Sequence, residues 1–211
     1  LLAGYVERGT TPGLVALIDR RGETVVDVTG KQAIDGEPMR RDTIFRISSM
    51  TKPVTAAATM ILVEECVLRL DDPIDGFLPE LANRQVLKAL NGPLNDTVPA
   101  HRPITVRDLL TFTPGFGLLP ADPRDYPVLA AAKERGVVLI PPSPKNHLGS
   151  DEWMAQFGTL PLMHQPGEQW MYGTGSALLG VLISRAAGQS FASFLQERIF
   201  DPLGMKDTGF V

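Results

Sequence analysis

Cysteine is almost absent. Cys66 is the single one in 211 residues, so no internal disulfide can form and no metal site can be built on paired thiolates. Histidine is nearly as scarce. His101, His147 and His164 have no metal-ligand spacing, and solvated imidazoles account for them. Nothing implies a cofactor: Gly173 and Gly175 lack the third glycine and the preceding strand of a dinucleotide fingerprint. No Lys/Arg block is dense enough to neutralise a run of phosphates, and a net charge of −4 with a pI of about 5.4 excludes nucleic acid as the expected partner. The longest mainly apolar run, residues 54–63, is too short and too rich in Ala and Thr to span a bilayer. No basic segment followed by an apolar run opens the chain, which starts at Leu1 and not at Met. The lone cysteine and the lack of a recognisable export signal favour the cytoplasm over the periplasm.

What is present describes a globular protein. Hydrophobic residues make up 44% of the chain, charged residues 21%, and the mean hydropathy is +0.03. A chain of this size is expected to bury roughly 70% of its extended surface. Residues 13–30 hold two Val/Ile/Leu runs joined by Asp19-Arg20-Arg21-Gly22, which reads as a hairpin. Residues 1–8 read as the end of a helix stopped by Gly9 and Pro12. Val54, Ala57, Ala58, Ile61, Leu62 and Val63 recur at helical spacing, so a buried helix should start close to Ser49. Pro53 is tolerated in a first turn, where its missing N–H has no intrahelical acceptor. Thr105 reads as the cap of a short helix, with Asp108 at its third position. Residues 71–81 are turn-rich, and residues 176–187 and 191–200 read as two helices separated by Gly188. Residues 114–150 carry seven prolines and no sustained period, which reads as a long loop.

The chemistry centres on Ser49 and Lys52. A serine hydroxyl is a poor nucleophile until a base takes its proton, and an amine can serve if its pKa is lowered. Residues three apart on a helix share a face, so the Lys52 amine can reach the Ser49 oxygen. Free N–H groups of the first turn would meet the charge that develops on a reacting carbonyl. The spacing alone is weak: eight serines and six lysines produce such a match by chance in about one chain in four. Taken alone, Ser49 reads equally as a helix cap and Lys52 as a solvated first-turn residue. Tyr172 reads as an amphipathic aromatic at a loop-helix junction. Trp170, Phe112 and Phe116 can line an acyl pocket or fill the core. Arg46 and Asp108 read as ion-paired or solvated charges.

The run Phe45-Arg46-Ile47-Ser48-Ser49-Met50-Thr51-Lys52-Pro53 resembles the nucleophile segment of the serine β-lactamase and penicillin-binding-protein superfamily. The resemblance is to the branch holding class C β-lactamases, DD-peptidases and related carboxylesterases. Further segments match that branch in order. They are Leu109-Leu110-Thr111-Phe112-Thr113-Pro114-Gly115, where the branch has Leu-Leu-Thr-His-Thr-Ser-Gly, then Pro166-Gly167 with Trp170-Met171-Tyr172-Gly173-Thr174-Gly175, Leu178-Leu179-Gly180, and Pro202-Leu203-Gly204-Met205-Lys206-Asp207-Thr208-Gly209-Phe210. The resemblance implies an α+β, β-lactamase/transpeptidase-like fold. It implies one partial domain over 1–211, with an N-terminal helix and β-hairpin in 1–47, a mainly helical region in 48–211, and most of the antiparallel sheet missing.

It also implies a serine acyl hydrolase, esterase or β-lactamase-like, working through an acyl-serine intermediate on a small-molecule ester or amide. Ser49 would be the nucleophile and Lys52 and Tyr172 the proton-transfer groups, with Thr174, Trp170, Phe112 and Phe116 at the substrate. Thr174 stands where the branch has Asn in its Tyr-x-Asn element. A threonine hydroxyl offers one donor where an amide offers two, which favours esters over β-lactams and peptides. The branch's Lys/His/Trp-x-Gly triplet has no counterpart after Thr174, so a second chain or a further C-terminal segment is expected to complete the sheet. A penicillin-binding-like module without catalysis is the alternative, and a helical domain with an accidental Ser-x-x-Lys match is the remaining one.

Overall fold

The computed structural model describes residues 2–122, 124–137 and 148–210. It divides into two compact units, residues 1–48 and 49–211.

The first unit holds α1 (Ala3–Glu7) and an antiparallel ribbon of β1 (Gly13–Arg20) and β2 (Glu23–Gly30). Its register runs from Gly13 opposite Gly30 to Arg20 opposite Glu23, leaving Arg21-Gly22 as a two-residue turn. Both turn residues have positive φ, 56° and 85°, the geometry whose twist suits a tight hairpin. Leu17, Ile18 and Val25 are exposed on this ribbon.

The second unit is mainly helical. A tight turn at Ser48–Met50 leads into α2 (Thr51–Glu64), so the regular helix begins two residues later than Ser49. Its buried stripe is Thr55, Ala58, Thr59 and Leu62. The two buried hydroxyls donate to carbonyls four residues back, Thr55 to Thr51 and Thr59 to Thr55, so they cost little to bury. The helix stops although apolar residues continue through Leu70. Cys66 takes φ 61°, and the N–H groups of Val67 and Leu68 both turn back to the Leu62 carbonyl.

Two short turns (Ile74–Gly76, Pro79–Leu81) precede β3 (Gln85–Leu87), which pairs antiparallel with β4 (Thr97–Pro99). On its other edge β3 bridges Leu162 in parallel fashion. Next comes α3 (Val106–Leu110), opened by a complete capping box: Thr105 accepts from the Asp108 N–H, and the Asp108 carboxylate accepts from the Thr105 N–H. Two helices lie within the stretch expected to be a loop, α4 (Pro127–Glu134) and the start of α5 (Ser150–Gly158). Pro127 stands in the first turn of α4, where proline favours a helix. Residues 138–147, including His147, lie outside the described residues.

Arg84 is 7% exposed and donates to the Gly158 and Leu160 carbonyls at the end of α5. Burial pushes its pKa down to about 10. The long α6 (Thr174–Ala187) packs on α2, α3 and α7 (Phe191–Leu195), and α7 continues into a single π-helical turn, Gln196–Phe200. One core runs through these elements, with Leu62, Leu78, Leu109, Met154, Leu178, Leu182, Ile183 and Phe194 nearly inaccessible. Among the described residues no single helix is long and apolar enough to cross a membrane.

Candidate active site

The second unit brings three polar side chains together. The Lys52 ammonium donates to the Ser49 oxygen at 3.1 Å, and the Tyr172 hydroxyl donates to the same oxygen at 2.8 Å. The cap residue of α2 is Met50 and no side chain caps it, so the Ser49 hydroxyl is turned toward the amine and the phenol. Ser49 is exposed, and Lys52 and Tyr172 are half-buried.

Main-chain contacts explain how Tyr172 reaches that oxygen. The Met171 N–H donates to the Phe112 carbonyl at 2.7 Å, and the Tyr172 carbonyl accepts from the Leu118 N–H at 2.8 Å. The strap 170–172 is therefore pinned on both sides. A β-carbon on Gly117 would lie 2.6 Å from the Met171 side chain, so only glycine allows this approach. Gly173 then turns the chain into α6 with φ 104° and ψ −61°, a conformation open to glycine.

Electrostatics favour proton exchange here. The Lys52 ammonium, and after it the Ser49 hydroxyl, hold the Tyr172 phenol below the ordinary phenol range against the opposing effect of desolvation. Lys52 Nζ lies 4.5 Å from the centre of the Tyr172 ring, over its electron-rich face. Phe112 stacks on the same ring, with centroids 5.9 Å apart and planes 7° from parallel. Trp170 completes an aromatic triangle, 6.0 Å from Phe112 and 6.1 Å from Tyr172, and is 59% exposed.

The remaining site candidates separate. Thr174 is buried in the first turn of α6, and among the described residues it has no hydrogen bond to Ser49, Lys52 or Tyr172. Phe116 is 6% exposed and packs edge-on against Phe157 at 5.1 Å, inside the core. Its place in the core sets it apart from the aromatic triangle at Ser49. His101 and His164 contribute main-chain bonds, His101 N–H to the Gln165 side chain and His164 N–H to the Gly115 carbonyl. Among the described residues no group of three His, Cys, Asp or Glu side chains could hold a metal ion.

Asp108 pairs with Arg102, not Arg46. Its carboxylate takes both guanidinium arms at 2.6 and 2.9 Å and also the Thr105 and Thr113 hydroxyls. Burial alone would raise this carboxyl, but Arg102 and Thr105 outweigh it and hold the group below the usual carboxylate range. Periodicity gives no signal for Phe112 as a neighbour of Tyr172, 60 residues away; the family resemblance alone put both at one site.

The architecture is that of the β-lactamase/transpeptidase-like folds, α+β with small antiparallel ribbons. The family model "Beta-lactamase" matches residues 1–211, and the chain belongs to that family. It is 41% identical over 210 residues to Protein Rv1367c of Mycobacterium tuberculosis, covering 97% of this chain and 49% of the relative. It is 34% identical over 204 residues to the lovastatin esterase of Penicillium rubens, covering 93% and 48%. Among solved structures, EstCE1, a hydrolase with promiscuous acyltransferase activity, superposes with a TM-score of 0.80 at 25% identity, covering 96% of this chain and 49% of that one. The chain thus spans about half the length of the curated relatives it matches. Proteins named as esterases and acyltransferases are among its relatives.

Proposed function

We propose that the protein is a serine acyl hydrolase in which Ser49 is acylated by an ester substrate, with Lys52 and Tyr172 as the proton-transfer pair. The observation that carries this reading is the convergence of the Lys52 amine and the Tyr172 phenol on the one Ser49 oxygen. As the Ser49 oxygen attacks the ester carbonyl, its proton passes to the Tyr172 phenolate, which the Lys52 cation stabilises. The leaving alkoxide then takes that proton from Tyr172 and departs as the alcohol. Water attacks the acyl-serine next, giving its proton to Tyr172, and the carboxylic acid leaves as Ser49 recovers the proton. Two features favour esters over β-lactams: Thr174 in place of an amide side chain, and the esterase named among the relatives.

The test uses the full-length protein and a fluorophosphonate probe, read by intact mass and peptide mapping. One adduct on Ser49, absent in Ser49→Ala, is the expected result. An unmodified wild-type protein would remove the proposal.

A further inference from the structure

We propose that Phe112 is a positioning residue, whose ring, lying nearly parallel to that of Tyr172, holds the phenol at the Ser49 oxygen. The inference rests on the hydrolase reading above and deepens it. Its starting point is the backbone. Phe112 has φ 60° in the left-handed position that ends α3: its N–H reaches the Leu109 carbonyl and the Thr113 N–H reaches that of Asp108. A β-carbon is disfavoured there, and glycine is the usual solution. Left-handed residues also end four other helices: Gly9 after α1, Cys66 after α2, Gly136 after α4 and Gly188 after α6. Among these five ends, α3 alone carries a large aromatic ring there.

The ring does not repay the strain by filling the core, because Phe112 is half-buried and lies outside the core cluster. Its aromatic neighbours are Tyr172, nearly parallel at 5.9 Å, and Trp170. The Phe112 carbonyl also anchors the Met171 N–H, so main chain and side chain of one residue grip the strap on which Tyr172 sits. Strain kept at a residue whose ring and carbonyl both hold the strap bearing Tyr172 is the pattern expected of positioning.

The experiment compares Phe112→Gly and Phe112→Tyr with wild type in the full-length protein. Glycine removes the ring while relaxing the backbone, so loss of folding does not confuse the result. Two quantities are measured: the rate of Ser49 labelling by the fluorophosphonate, and the titration of the Tyr172 phenol by tyrosinate absorbance, with Tyr172→Phe as the blank for every other tyrosine. Phe112→Gly is expected to slow labelling about ten- to hundredfold. It should also move the Tyr172 titration up toward the ordinary value of about 10, as the phenol leaves Lys52 and Ser49. Phe112→Tyr, which keeps the ring, should restore both. Unchanged labelling and unchanged titration in Phe112→Gly overturn the inference. A wild type that fails to label overturns the hydrolase reading instead, and the titration still decides the role of Phe112.

Discussion

The Tyr172 hydroxyl lies 2.8 Å from the Ser49 oxygen, although 123 residues separate the two in the chain. Tyr172→Phe keeps the ring and its stack on Phe112 and removes only the oxygen that exchanges the proton. Acylation of Ser49 is expected to fall by about 10²–10⁴. Stopped-time mass spectrometry of the probe adduct measures it, and a rate within twofold of wild type would rule out the phenol as the base.

The pH dependence of acylation follows from the same contact. In the proposed mechanism the base is the deprotonated phenol, whose pKa is depressed by Lys52. The rate should therefore rise with pH, with a midpoint below the value of about 10 of an ordinary phenol. Lys52→Met, which removes the cation at similar length, should shift the midpoint upward and lower the plateau. A midpoint that does not move in Lys52→Met would separate the amine from the phenol's ionisation.

Asp108 is a structural charge. Asp108→Ala leaves the Thr105 N–H and the Arg102 guanidinium without their acceptor, at an expected cost of about 1–3 kcal/mol in urea unfolding. The folded carboxyl is depressed, so its stabilisation is present above the unfolded pKa and is lost as pH falls through the folded one. The difference between wild type and Asp108→Ala should shrink steadily as unfolding is repeated below about pH 4. A gap that stays constant down to the acid transition would contradict the assignment.

Gly175 decides how closely α6 approaches α3. An added β-carbon would lie 2.5 Å from the Leu109 carbonyl oxygen, which is backbone and cannot swing aside. Gly175→Ala gains up to about 1 kcal/mol of helix propensity but meets an overpacking cost of about 1–3 kcal/mol. Net destabilisation is expected, with a fall in Tm of a few degrees and slower Ser49 labelling, because Tyr172 lies three residues away. A raised Tm would show that the two helices separate freely.

What the sequence revealed and what it hid follow from how local each signal is. The hairpin could be read because Leu14 to Ile18 and Thr24 to Val28 flank a turn whose Gly22 tolerates φ 85°. The cap at Thr105 and Asp108 spans three residues and was equally plain. By contrast α4 and α5 were hidden among prolines, although Pro127 is a good helix start. The strands β3 and β4, three residues each, are too short to show alternation. The end of α2 could not be read because Val67, Leu68 and Leu70 continue the apolar pattern past a left-handed Cys66. At the site, the Ser49 and Lys52 pairing follows from helical spacing, while Tyr172 was reached only through family resemblance. Phe116 was grouped with Phe112 and Trp170 through the matched segments, yet Gly115, with φ 87°, turns the chain between Phe112 and Phe116, and the Phe116 ring meets Phe157.

The turn bearing Ser49 runs into α2 and the strap bearing Tyr172 runs into α6, and these two helices pack side by side. Three of the four side chains on the buried stripe of α2 are small: Thr55, Ala58 and Thr59. Slippage along that seam would therefore change the gap between hydroxyl and phenol without touching either. Under the proposed mechanism such a shift would change the rate from the interior, through side chains six to ten residues past Ser49.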